Sequence, residues 1–78
     1  MDLQEAIKLR ILKLCEQNNI TVNKLSTLSG TTQSTINNIV TGVSQNPKIL
    51  TISNICLGLN IKLKDFFDDE LFNDLEDN

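Results

Sequence analysis

The sequence predicts an all-α domain of five helices. Apolar residues recur at helical spacing in five segments, and cap-forming Thr, Asn and Gly residues stand between them. No segment alternates apolar and polar residues as a half-buried strand does, and no internal repeat or low-complexity linker is present. Seventy-eight residues with 40% hydrophobic content make one domain with a small core. A chain of this size buries only about 60% of its unfolded surface, so modest stability or dimerisation is expected.

Helix 1 is expected from Leu3 to Asn18, with Leu3, Ile7, Ile11, Leu14 and Cys15 as its core stripe. Leu9 and Leu12 add a second apolar edge. Asn18-Asn19 ends the helix, since Asn tolerates the left-handed backbone of a helix exit. Thr21 is a good N-cap for helix 2, Val22 to Ser29, with Leu25, Leu28 and Val22 inward. Gly30 stands where a positive φ angle is needed. Helix 3 follows Thr31 or Thr32 and reaches Thr41, with Ile36, Ile39 and Val40 inward and Gly42 as terminator. The loop Val43 to Asn46 leads to Pro47, a favoured first residue of a helix. Helix 4 places Leu50, Ile52, Ile55, Cys56 and Leu59 on a broad apolar face and leaves at Asn60. Helix 5 is expected from near Leu63, with Phe66, Phe67, Leu71 and Leu75 along one side and fraying beyond Asp74. This gives a domain over residues 1–70 and an acidic extension over 71–78.

The net charge of −3 conceals an asymmetry. Residues 1–64 hold all seven basic groups against three acids, a balance of +4; residues 65–78 hold seven acids and no base. A mildly basic body therefore carries an acidic tail. No apolar run reaches the roughly 18 residues of a membrane span, and the N-terminus does not read as a secretory signal. Cys15 and Cys56 lie within apolar patterns and read as buried thiols, and a cytoplasmic location is expected. The chain has no His, Tyr or Trp, so the commonest general base and metal ligand is missing. Two cysteines are too few for a structural zinc site, and there is no Gly-rich phosphate loop. No enzyme activity, cofactor or metal is expected.

Helix 3 is the most informative segment. Thr, Ser, Asn, Ile and Val cost up to about 0.7 kcal/mol each relative to Ala in a helix. Its outward side is Gln33, Ser34, Asn37, Asn38 and Thr41, without a single charge. An ordinary solvated face carries Glu–Lys pairs that support the helix. Amides and hydroxyls instead suit contact with base edges, because they both donate and accept hydrogen bonds.

Taken as a series, these phrases resemble the helix-turn-helix family of Cro and phage repressors: Leu25-Ser26, Gly30 through Ile39, Gly42, Pro47, Leu57-Gly58-Leu59-Asn60-Ile61 and Phe66-Phe67. The resemblance covers nearly the whole chain up to Phe67. It implies a compact five-helix, lambda-repressor-like domain that binds operator DNA as a dimer, with helices 2 and 3 as the motif and helix 3 in the major groove. Base contacts then fall on Thr32, Gln33, Ser34, Asn37 and Asn38, with Gln33 and Asn38 the strongest candidates. Phosphate contacts fall on Thr21, the first amides of helix 2, Thr41 and the loop before Pro47, with Arg10, Lys24 and Lys48 as helpers. The implied function is a sequence-specific transcriptional regulator, a repressor by preference, with double-stranded DNA and a second copy as partners.

The chain departs from the family pattern in two places. Cys15 and Val40 replace an internal Arg–Glu ion pair of many relatives, a paired swap to apolar groups that leaves no buried charge alone and predicts contact between the two. Val22 stands where relatives present Gln to a phosphate, and the Val43–Asn46 loop has no basic residue. Fewer cations release fewer counterions, so affinity is expected to depend weakly on salt and strongly on dimerisation. The tail residues Leu71, Phe72 and Leu75 allow two arrangements. They either pack back on Leu9 and Leu12 or, with Phe67, form a subunit interface that spaces two recognition helices about 34 Å apart. A rival function is a protein-interaction module, or an antitoxin-like partner-binding protein, that keeps the fold and works through the acidic tail and helix 5.

Overall fold

Five helices and one 3-10 turn make up the computed structural model, which describes residues 1–76. The order is α1 (Leu3–Gln17), α2 (Val22–Ser29), α3 (Gln33–Val40), α4 (Ile49–Leu59), α5 (Leu63–Phe67) and the 3-10 turn Glu70–Phe72. No strand occurs among the described residues. The Cα radius of gyration of 11.6 Å matches the roughly 11.5 Å of a single compact domain of this length.

Most helix boundaries follow from local chemistry. Asp2, Thr21 and Thr32 cap α1, α2 and α3, each side-chain oxygen accepting from the amide three residues on. Asn19, Gly30 and Asn60 take positive φ angles (55°, 65° and 59°) at the exits of α1, α2 and α4. After each, the next amide reaches back into the helix: Ile20 to the Cys15 carbonyl, Thr31 to Ser26 and Ile61 to Cys56. The expected bounds of α2 and the extent of α3 agree with this.

The core joins Ile7, Ile11, Leu14 and Cys15 of α1 with Leu25, Ile36, Ile39, Ile52, Ile55, Cys56 and Phe66, and Val40 packs against the same cluster. Helices α2 and α4 meet closely. A Cβ on Gly58 would lie 2.7 Å from the carbonyl oxygen of Leu28 and 2.9 Å from the amide nitrogen of Ser29. Backbone cannot yield as a side-chain tip can, so the crossing of α2 and α4 requires glycine there.

Several expectations are corrected. α4 starts two residues later than Pro47, because Lys48 is extended (φ −68°, ψ 140°) and serves as N-cap. Leu50 does not share the core face of α4 and is 67% exposed. At about 100° per residue it lies some 140° from Ile55 and 160° from Ile52, too far round for one stripe. Leu3 and Leu28, at the first and last turns of their helices, are also largely exposed. α5 stops at Phe67 and does not continue toward Asp74. The Asp68 amide closes the last turn on the Asp65 carbonyl at 3.3 Å, and Arg10 caps the same helix end: Nε donates to the Phe66 oxygen at 2.7 Å and Nη2 to the Asp65 oxygen at 2.9 Å. The chain then turns through Asp68 and Asp69, and the Asp69 carboxylate caps the 3-10 turn by accepting from the Leu71 amide.

Candidate nucleic-acid interface

The α2–turn–α3 unit is held at its bend by Gly30, whose missing Cβ faces open space. Glycine is there for its backbone angle alone, in contrast to Gly58. Thr32 fixes the start of α3: its Oγ1 accepts from the Thr35 amide at 3.2 Å and is hydrogen-bonded to Thr35 Oγ1 at 2.8 Å. Ile36 and Ile39 anchor the inward side in the core.

That anchoring leaves Gln33, Ser34 and Asn38 exposed and Asn37 half-buried. Among the described residues, no intramolecular hydrogen bond engages the side chains of these four, whereas neighbouring threonines are bonded locally. Thr41 donates to the Asn37 carbonyl at 2.7 Å, and Thr21 accepts from the Lys24 amide at 3.1 Å. Thr32, Thr21 and Thr41 therefore shape helix ends, and their hydroxyls are already engaged. The free hydrogen-bonding capacity sits on the amides of Gln33, Asn37 and Asn38 and the Ser34 hydroxyl, with Gln33, Ser34 and Asn38 open to solvent.

Orphan backbone donors flank this row. The first two amides of α2 and of α3 have no helical partner, and α4 has no side-chain cap at Lys48. Partial positive charge at such termini attracts anions. Thr35 of α3 and its N-cap Thr32 line an open groove with Thr51 of α4 and its N-cap Lys48; its other walls include Thr31, Ser44, Asn46 and Asn54. Lys24 and Lys48 are exposed. The uncapped start of α4 was not singled out from sequence, since Pro47 drew the helix start two residues too early.

Arg10 is the residue that departs most from expectation. It is 8% exposed, and besides the two carbonyls it pairs with Asp69 at 3.2 Å. Its guanidinium is consumed by the α1–α5 seam and is withdrawn from the phosphate-contacting set. Lys13 completes the seam with a 2.8 Å bond to the same carboxylate. The Lys13 ammonium, the Leu71 amide and the Arg10 charge together hold the Asp69 carboxyl below the usual carboxylate range. Two of the tail candidates also turn inward: Phe67 and Phe72 pack against the core, and Phe72 meets the rings of Phe66 and Phe67 at 6.2 and 5.1 Å. Leu71 and Leu75 are half-buried. The Glu76 amide donates to the Met1 carbonyl at 3.0 Å, tying the tail beside the start of α1; Asp77, counted among the tail acids, lies outside the described residues. Cys15 and Cys56 are free and buried, and burial pushes both thiols up. No helix among the described residues is long and apolar enough to cross a membrane.

A short, uncharged, hydrogen-bonding helix raised on a helix–turn–helix support defines a class of DNA-binding domain. Residues 10–71 match the Cro/C1-type HTH DNA-binding domain, and the chain belongs to that family. The fold is also that of a prophage protein: the crystal structure of the prophage Lp1 protein 11 superposes with a TM-score of 0.82 at 37% identity, covering 96% of this chain and 100% of that one. No functionally curated protein matches the chain.

Proposed function

We propose that this protein is a sequence-specific transcriptional regulator, acting as a repressor by placing α3 in the major groove of a short operator. The observation that carries the reading is the pair of exposed, unpartnered amides of Gln33 and Asn38 on a face without charge. Each can pair bidentately with adenine N6 and N7, which discriminates against a wrong base by about 1–3 kcal/mol. Lys24, Lys48 and the first amides of α2 and α4 take the flanking phosphates; Ser34 and Asn37 complete the base-facing row, and Thr32 joins it by turning its exposed hydroxyl from Thr35 to a base edge. Thr21 and Thr41 act at the phosphates by positioning those helix ends. Residues 1–70 form the binding unit, 71–78 its acidic extension, and the protein works as a homodimer in the cytoplasm. Occupancy of a promoter by such a dimer blocks polymerase sterically, with no enzymatic step and no cofactor.

The rival, a partner-binding module working through the acidic tail, loses support from the internal use of Asp69 and of Asp65, whose Oδ2 accepts from the Lys62 amide at 3.0 Å. Selection of bound oligonucleotides from a random duplex pool tests the proposal. A recovered motif with A·T positions, whose binding weakens as salt rises, supports it. Failure to retain any duplex at about 50 mM salt sinks it.

A further inference from the structure

We propose that the outward face of α4 is the surface through which two copies of this chain associate. Ile49, Ser53 and Leu57 lie at i, i+4 and i+8, with Leu50 beside them. At about 100° per residue, these four positions occupy one face roughly 100° wide. Its centre lies about 120° around the helix from that of Ile52, Ile55 and Cys56, which face the core, and Cys56 borders it beside Ile49. Ile49 is 59% exposed, Leu50 67% and Leu57 75%. No residue of α4 carries a charge. Scattered exposed leucines are ordinary, but three aliphatic side chains aligned on one uncharged face are not.

Two arguments name a second copy as the occupant. A two-fold contact sets a patch against itself, so any charge within it meets its like. A face made of three aliphatic groups around one hydroxyl satisfies that requirement, whereas a distinct partner is commonly selected by complementary charge. The area points the same way. These side chains present roughly 400 Å² of apolar surface, within the range of about 300–600 Å² typical of the largest, often functional, patches on monomers. Pairing two such faces, with flanking backbone, removes on the order of 1,000 Å² from water, the low end of specific interfaces. An interface of that size fits a weak, reversible association. The aromatic tail residues Phe67 and Phe72 are packed against their own core. The inference rests on the homodimer of the proposed function and concerns where its two copies meet without DNA; what α3 reads is tested separately by the oligonucleotide selection.

Sedimentation velocity on the full chain, from about 5 μM to 1 mM and without DNA, tests it. The wild type shifts from monomer to dimer across that range. The double variant Leu50→Glu/Leu57→Glu places acids across the two-fold and weakens association by at least about 30-fold, with the helical circular dichroism retained. Ser53→Arg, on the same face and removing no apolar group, gives the same loss and serves if the double variant does not fold. A wild type that stays monomeric to 1 mM overturns the proposal, as does a folded variant that dimerises unchanged. Association lost through Leu71→Glu/Leu75→Glu but not through α4 places the interface on the tail and also overturns it.

Discussion

The outward face of α3 and the seam between α1 and α5 are both polar, but they use their polar groups in opposite ways. At the seam, Arg10, Lys13 and Asp69 satisfy one another and two backbone carbonyls, and the Arg10 and Asp69 side chains are buried away from an outside partner. On α3, Gln33, Ser34 and Asn38 satisfy nothing within the fold and face solvent. A polar group paired internally is architecture, and one left unpaired on a rigid helix is available for recognition. The difference predicts a double dissociation: seam variants lose stability and keep binding per folded molecule, while α3 variants do the reverse.

The largest effect is expected at Arg10. Arg10→Ala strands the buried Phe66 carbonyl and removes the cap of α5, costing about 3 kcal/mol in denaturant unfolding. If Arg10 held a phosphate instead, the salt slope of DNA binding would fall by about one; the seam predicts no change in slope. Gly58→Ala should follow, at about 2 kcal/mol, because its methyl group meets the backbone of Leu28 and Ser29. A melting temperature within a degree of wild type would show that α2 and α4 can part without cost and would weaken the rigid support assumed for α3. Gln33→Ala and Asn38→Ala should each lower affinity for the selected operator by about 1–2 kcal/mol and shift thermal stability by less than a few tenths, since both are exposed. Equal losses of affinity and stability would erase the comparison. The smallest effect is pH-dependent. Asp69 has its folded pKa depressed by Lys13, the Leu71 amide and Arg10, so its contribution is present above the unfolded carboxylate value of about 3.9 and fades as pH falls through the lower folded value. Asp69→Asn should flatten that acid limb in a pH series of thermal melts, and an unchanged limb would mean that the carboxylate is not what ties the tail.

Much of this architecture could be read from the chain because its boundaries are set locally. Thr21, Gly30, Thr32 and Asn60 each act through bonds to residues at most five away, and a sequence displays such neighbours directly. The outward row of α3 was legible for the same reason, since Ile36 and Ile39 fix its rotation. Arg10 was misread because its partners, Asp65, Phe66 and Asp69, lie more than fifty residues away, and nothing near Arg10 signals them. The end of α5 is also hidden, because the apolar spacing of Phe67 and Leu71 permits a longer helix, whereas the Arg10 guanidinium caps its end and Asp69 starts a separate 3-10 turn. Leu50 and Gly58 illustrate a third case. A face drawn too wide hid the exposed stripe of α4, and a mid-helix glycine could have warned that a second backbone passes close by.

The most direct test is a titration of the isotopically labelled protein with its selected duplex, followed by amide and side-chain NH₂ chemical shifts. The account predicts the largest changes at Gln33, Ser34, Asn37 and Asn38, with smaller ones at the first amides of α2 and α4 and none at the Arg10 guanidinium. Changes concentrated on the 3-10 turn and the acidic tail, with α3 silent, would contradict it.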